Sequence, residues 1–251
     1  MDRRARTAGL PQGRISSRPS AGRDGRRRRC GQGGGAVTFS VPTSVRTRIK
    51  FCGLTREQDI LNAVSAGADA LGFVLWPGSR RHVDEDRLAA LAACVPAFVT
   101  RVGLFVDATP EDIRRASRHL DLLQFHGDEP PAFCAGFELP WIKALRMRDD
   151  LDLQAAAEAY DAAQALLLDA YRPGVPGGTG ETFDWSRIPA SLAKPVILAG
   201  GLTPDNVAEA VARVRPFAVD VSGGVEVTPG HKDPRLLANF AAAVAEADRK
   251  R

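Results

Sequence analysis

From Arg48 onward the chain alternates between short apolar runs and amphipathic segments of helical period. The runs lie at 48–52, 70–76, 99–106, 120–125, 141–145, 165–168, 195–199 and 217–221. Between and after them lie segments with one apolar face, at about 56–66, 84–94, 110–119, 130–136, 150–163, 184–192, 204–214 and 233–249. The runs are apolar on both faces, as strands buried in a parallel sheet must be. Thr109-Pro110-Glu111-Asp112 and Thr203-Pro204-Asp205 read as helix starts, with Thr at the N-cap, Pro at the first helical position and acids in the first turn. Eight strand–helix units of about 25 residues each are at the short end for a (β/α)8 TIM barrel, and such a barrel is the fold expected. The alternative α/β architecture, an open doubly wound sheet, lacks its Gly-x-Gly-x-x-Gly after the first run.

Residues 1–44 break the pattern. They are poor in apolar residues and contain ten Arg, no Lys and two acids, a charge of +8. The whole chain carries +4, so the part from residue 45 to residue 251 is mildly acidic at −4. Such an Arg/Gly-rich extension buries too little apolar surface to offset its chain entropy and is expected to be disordered. A mis-assigned translation start, a targeting peptide and a nucleic-acid-binding arm all fit its composition. The acidic body argues against a protein built around a basic nucleic-acid groove, so no nucleic-acid partner is expected. No apolar run is long enough to cross a membrane as a helix. Cys30, Cys52, Cys94 and Cys134 are widely spaced and, with four His, show no metal-ligand spacing. Reduced thiols and a cytoplasmic location are the reading that follows, with no metal expected.

In a barrel of this kind the chemistry sits at the carboxyl ends of the strands. There the sequence places Cys52 after the first run, Gln124 and His126 at the fourth, Asp169 after three leucines at the sixth, and Asp220 in the eighth. A carboxylate at Asp169 would be costly if it pointed unpaired into the helix layer, so it should face the barrel mouth; partial burial would then suit it to donate a proton. A thiol on strand one and a carboxyl on strand six would flank one small substrate. Lys50 shares the face of Cys52 and is placed to reach either group. Gly177, Gly178 and Gly180 after the sixth run, Gly200 and Gly201 after the seventh, and Ser222, Gly223 and Gly224 after the eighth suggest a phosphate grip built from backbone N–H groups. Arg81, in the loop after the second run, suits a carboxylate clamp.

Ile49-Lys50-Phe51-Cys52-Gly53-Leu54-Thr55, Gly67–Phe73, Gln124-Phe125-His126-Gly127, Gly177–Trp185 and Pro216–Glu226 resemble, in this order, the phosphoribosylanthranilate isomerases of tryptophan biosynthesis. The resemblance runs from about Arg48 to Phe240 and leaves out the extension. It implies a cofactor-free Amadori rearrangement, an aldose–ketose isomerisation of N-(5-phosphoribosyl)anthranilate. It puts the general base on Cys52, the general acid on Asp169 and the anthranilate carboxylate on Arg81, with Lys50, Gln124, His126 and Asp220 against the substrate. The three glycine segments would hold the phosphate. Phe51 stands where the family usually has Ile, Gly223 lies in a motif often carrying Ser, and Glu181 stands where Lys is common. Phe51 is expected to face the helices, and Glu181 to point away from the phosphate. The partner expected is the small-molecule substrate alone, with a monomer as the expected state and a dimer as the alternative. Other readings are a sister phosphoribosyl aminoaldose isomerase of histidine biosynthesis, which resembles a barrel using two aspartates, a catalytically silent phosphate-binding barrel, and a nucleic-acid binder driven by the extension.

Overall fold

The structure, a computed structural model, describes residues 46–170 and 182–251. The N-terminal extension and Gly177, Gly178, Gly180 and Glu181 lie outside these residues. Eight parallel strands close into a barrel in chain order: β1 (Arg48–Cys52), β2 (Ala70–Val74), β3 (Thr100–Phe105), β4 (Leu122–Phe125), β5 (Trp141–Arg146), β6 (Leu166–Asp169), β7 (Val196–Leu198) and β8 (Ala218–Val221). β8 pairs back onto β1, with Lys50 opposite Asp220. The helices are α1 (Glu57–Ser65), α2 (Glu85–Ala93), α3 (Pro110–Ser117), α4 (Pro131–Cys134), α5 (Leu153–Ala159), α6 (Val207–Val214) and α7 (Pro234–Arg249).

Two expectations about helices need correction. The amphipathic stretch at 184–192 forms only a 3₁₀ turn, Trp185–Arg187. Its apolar positions Trp185 and Ile188 still pack on the core, so burial is met without a full helix. Thr203 is not the N-cap of α6. Its N–H donates to Asn206 Oδ1 at 2.8 Å, and Asn206 stands at the cap position. Thr109 does cap α3, accepting from the Asp112 N–H at 3.2 Å, a contact worth about 1 kcal/mol. A hairpin not foreseen in the sequence, β9 (Glu226–Thr228) with β10 (His231–Lys232), follows β8.

Strand alternation separates two environments. Outward side chains meet the helices: Phe51 is fully buried and packs edge-on against Phe240 of α7, ring centres 6.0 Å apart. Inward, small aliphatic residues such as Ala144, Leu167, Ile197 and Ala218 pack together as the floor. Two residues further along β6 and β8, the same inward face carries Asp169 and Asp220. The carboxyl groups of Asp169 and Asp220 therefore stand toward the carboxyl end, above this apolar layer.

Candidate active site

A cavity of about 710 Å³ opens at that end and is bordered by Cys52, Asp169, Arg81, His126, Asp220 and the glycine loops after β7 and β8. Its size suits a phosphorylated small molecule. Cys52 at the tip of β1 and Asp169 at the tip of β6 both border it. Two strands of the closed ring separate them in one direction and four in the other, so they stand on different walls.

Cys52 is nearly fully buried. Burial pushes its thiol above the ordinary range, and the Lys50 ammonium beside it opposes that shift. Lys50 does not border the cavity. It lies below, in a buried pair with Asp220, Nζ to Oδ1 at 2.7 Å. Burial alone would depress the Lys50 pKa, but the charges of Asp220 and Cys52 carry it above the ordinary lysine value. Lys50 is thus a fixed cation under the thiol and charge-balanced by Asp220. Gly72 of β2, opposite Cys52 in register, leaves room for this contact.

Asp169 is held from the side. His126 Nε2 lies 3.2 Å from Asp169 Oδ2, and the Gln124 amide nitrogen lies 3.1 Å from His126 Nδ1. With the amide N–H donating to Nδ1, the ring proton resides on Nε2 and is donated to the carboxyl. Gln124 is wholly buried behind His126 and does not border the cavity, and among the described residues its Oε1 has no hydrogen-bond partner. Placed there, Gln124 is a support for the imidazole.

Arg81 borders the cavity, but its guanidinium is already paired. Nε donates to Glu226 Oε1 at 2.9 Å and Nη2 donates to Oε2 at 2.6 Å. The pairing with Glu226 raises the Arg81 pKa against its own desolvation. Burial would raise the Glu226 carboxyl, yet Arg81 and Lys232 hold it below the ordinary range. Lys232 is fully buried and donates at 2.7 Å to Glu226 Oε1, the oxygen that also accepts from Arg81 Nε. Glu226, Lys232 and the cavity-lining Arg146 had no role in the sequence reading. The one available signal was the acid of Val225-Glu226, following strand eight and charge-complementary to the Arg pair after strand two. Nothing local marks Lys232, which sits among polar residues ahead of α7.

The loops after β7 and β8 meet closely. A Cβ on Gly224 would lie 1.9 Å from the Leu202 carbonyl oxygen, so only glycine lets the two loops touch. Gly200, Gly201, Ser222, Gly223 and Gly224 all border the cavity. Among the described residues the N–H groups of Gly201 and Gly223 have no hydrogen-bond acceptor. Among the described residues no three His, Cys, Asp or Glu side chains cluster as a metal site, and no helix is long and apolar enough to cross a membrane.

Residues 49–243 match the family model described as N-(5'phosphoribosyl)anthranilate (PRA) isomerase. The chain is 72% identical over 200 residues to the N-(5'-phosphoribosyl)anthranilate isomerase of Chromohalobacter salexigens, a match spanning 80% of this chain and 95% of that one. It is 59% identical over 195 residues to the enzyme of the same name from Thiobacillus denitrificans, spanning 77% of this chain and 95% of that one. Among solved structures, phosphoribosyl anthranilate isomerase from Thermotoga maritima aligns with a TM-score of 0.74 at 38% identity, over 80% of this chain and 99% of that one. A phosphoribosyl anthranilate isomerase in complex with reduced 1-(o-carboxyphenylamino)-1-deoxyribulose 5-phosphate aligns with a TM-score of 0.71 at 37% identity, over the same shares of the two chains. An eight-stranded barrel with a thiol and a carboxyl on separate walls of one mouth, and matches of this extent, come to one conclusion: the chain belongs to the N-(5'-phosphoribosyl)anthranilate isomerase family.

Proposed function

We propose that this protein isomerises N-(5'-phosphoribosyl)anthranilate to 1-(2-carboxyphenylamino)-1-deoxyribulose 5-phosphate, the Amadori step of tryptophan biosynthesis. The observation that carries the reading is the placement of Cys52 and Asp169 on separate walls of one cavity that the glycine loops after β7 and β8 and Arg81 also border.

Asp169 starts protonated and delivers its proton to the ribose ring oxygen. The C1–O bond breaks as the anthranilate nitrogen lone pair closes onto C1, giving a Schiff-base cation. That cation acidifies the C2 proton, which the Cys52 thiolate removes, and the resulting enolamine tautomerises to the ketone. His126, donating to Oδ2, stabilises the carboxylate that forms on Asp169 and holds it in orientation. Lys50 lowers the cost of the Cys52 thiolate in a buried place. Each proton transfer is worth about 10²–10⁴-fold, and the two grips supply positioning. Gly201, Ser222, Gly223 and Gly224, with the glycines at 177, 178 and 180, take the phosphate; Arg81 takes the anthranilate carboxylate with the N–H groups that Glu226 leaves over. In this reading the enzyme works without cofactor, in the cytoplasm and as a monomer.

The test is an assay of the purified protein with substrate generated in situ, followed by loss of anthranilate-type fluorescence. Wild type should turn over, and Cys52→Ala and Asp169→Asn should each lower kcat by at least about 10²-fold with KM little altered. Near-normal kcat in Cys52→Ala would remove the thiol from the chemistry and direct attention to Asp220.

A further inference from the structure

Between the carboxylate clamp and the general base lies a chain of buried charges that the mechanism above does not use. Lys232, at the end of the β9–β10 hairpin, has no exposed side-chain surface. Its Nζ donates to the Cys52 carbonyl at 2.6 Å, to Glu226 Oε1 at 2.7 Å and to the Ser222 carbonyl at 3.1 Å. Three acceptors around three donors are the complement of an ammonium, whereas a neutral amine would turn its lone pair on an oxygen. Burial draws the Lys232 pKa below the ordinary lysine value, and Glu226 opposes it. Glu226, 4% exposed, closes the other end by taking Nε and Nη2 of Arg81, and its Oε1 also accepts the Gly230 N–H at 3.1 Å.

Two consequences follow. The first is geometric. The Cys52 carbonyl is held by Lys232 and by the Ser222 hydroxyl at 3.0 Å, so the tip of β1 is anchored directly beside the thiol. Glu226 occupies one edge of the guanidinium and so fixes which N–H groups Arg81 can turn toward the cavity. The second is charge. Arg81 with Glu226 alone would be a neutral pair. With Lys232 the cluster holds two cations against Glu226, and the buried Asp59 of α1 faces it with a carboxylate that accepts the Lys232 backbone N–H at 3.1 Å. The Lys232 ammonium, set against the Cys52 carbonyl, favours a thiolate there.

We propose that Lys232 is a positioning residue that, through Glu226 and the Cys52 carbonyl, sets the carboxylate clamp and the general base as one unit. The proposal rests on the assignment of Cys52 and Arg81 above. It is tested on the full chain with Lys232→Met and Glu226→Gln. The measurements are kcat and KM, competition by inorganic phosphate, and the pH dependence of Cys52 alkylation by iodoacetamide, read on the Cys52 peptide. Lys232→Met should raise KM by about tenfold, lower kcat by a similar factor and move the alkylation midpoint up by about one pH unit. Inhibition by inorganic phosphate reads the separate effect of releasing the Ser222 carbonyl and should weaken by less than KM rises. Glu226→Gln keeps the lysine on both carbonyls but releases Arg81, so it should raise KM by at least about fivefold, more than it lowers kcat, without raising the alkylation midpoint. A folded Lys232→Met with wild-type KM and an unmoved alkylation midpoint overturns the proposal. If Lys232→Met does not fold, an unchanged KM in Glu226→Gln overturns it. Should Cys52→Ala keep its activity, the base assignment fails separately, and the alkylation shift still decides whether Lys232 governs this strand end.

Discussion

Gly72→Ala adds one methyl group at the most crowded point beside the thiol. Gly72 pairs with Cys52 across the β1–β2 ladder, and its side faces the barrel interior. A Cβ there would lie 2.7 Å from Cys52 Sγ, 3.0 Å from Lys50 Nζ and 3.1 Å from the Cys52 Cα. Comfortable separations for such atoms are about 3.5–4.0 Å, so Sγ must retreat by roughly 1 Å. It cannot do so freely, because Cys52 already packs against Val74 and Leu104. Overpacking of this kind costs about 1–3 kcal/mol of stability. A displacement of about 1 Å at a reacting atom costs about 10²-fold in rate. Separating Sγ from Lys50 also removes the main influence holding the thiol down, so its pKa should rise further above the ordinary value. Since the thiolate is the active form, kcat/KM should climb with pH through the alkaline range in wild type and begin its climb at higher pH in the variant. The assay is fluorescence-monitored turnover from about pH 6 to 9.5, with thermal melts in parallel. A folded Gly72→Ala whose kcat/KM stays within about threefold of wild type, with its pH profile unmoved, would refute both the crowding argument and the part given to Lys50.

Three further outcomes are expected. Arg81→Ala should weaken handling of the anthranilate end but leave competition by inorganic phosphate nearly intact, whereas Gly201→Asp should abolish that competition; the opposite pattern means the two grips are assigned the wrong way round. Lys50→Met leaves Asp220 buried without its partner and should cost about 3–5 kcal/mol in denaturant unfolding. Because Lys50 titrates above its ordinary range, its contribution is complete below about pH 10 and is lost only as pH rises beyond that, so the deficit should be equal at pH 6 and pH 9; a deficit that shrinks toward pH 9 would show that Lys50 is not charged in the fold. Gly224→Ala drives a methyl into the Leu202 carbonyl, should lower stability by about 1–3 kcal/mol and should weaken phosphate inhibition; an unchanged phosphate inhibition constant would separate the loop junction from the anion site.

The sequence by itself determined the barrel, because each buried strand must be apolar on both faces and each helix on one, and those periods are local. All eight runs became strands, and seven of the eight amphipathic segments became α-helices; only 184–192 fell short, where two packed apolar residues met the demand for burial without a full helix. It also located Cys52, Asp169 and the glycine pairs after β7 and β8 at strand ends, since a polar or flexible residue closing an apolar run is visible in one dimension. Tertiary structure alone decided which charges meet. Lys50 reaches across 170 positions to Asp220, Arg81 across 145 to Glu226, and Lys232 across 180 to the Cys52 carbonyl. A lysine destined for three buried acceptors carries the same local pattern as one in water, because its neutralisation comes from residues that barrel closure brings together. The same holds for Gly72, whose missing side chain matters only because β1 and β2 fall in a register that sets it against a thiol.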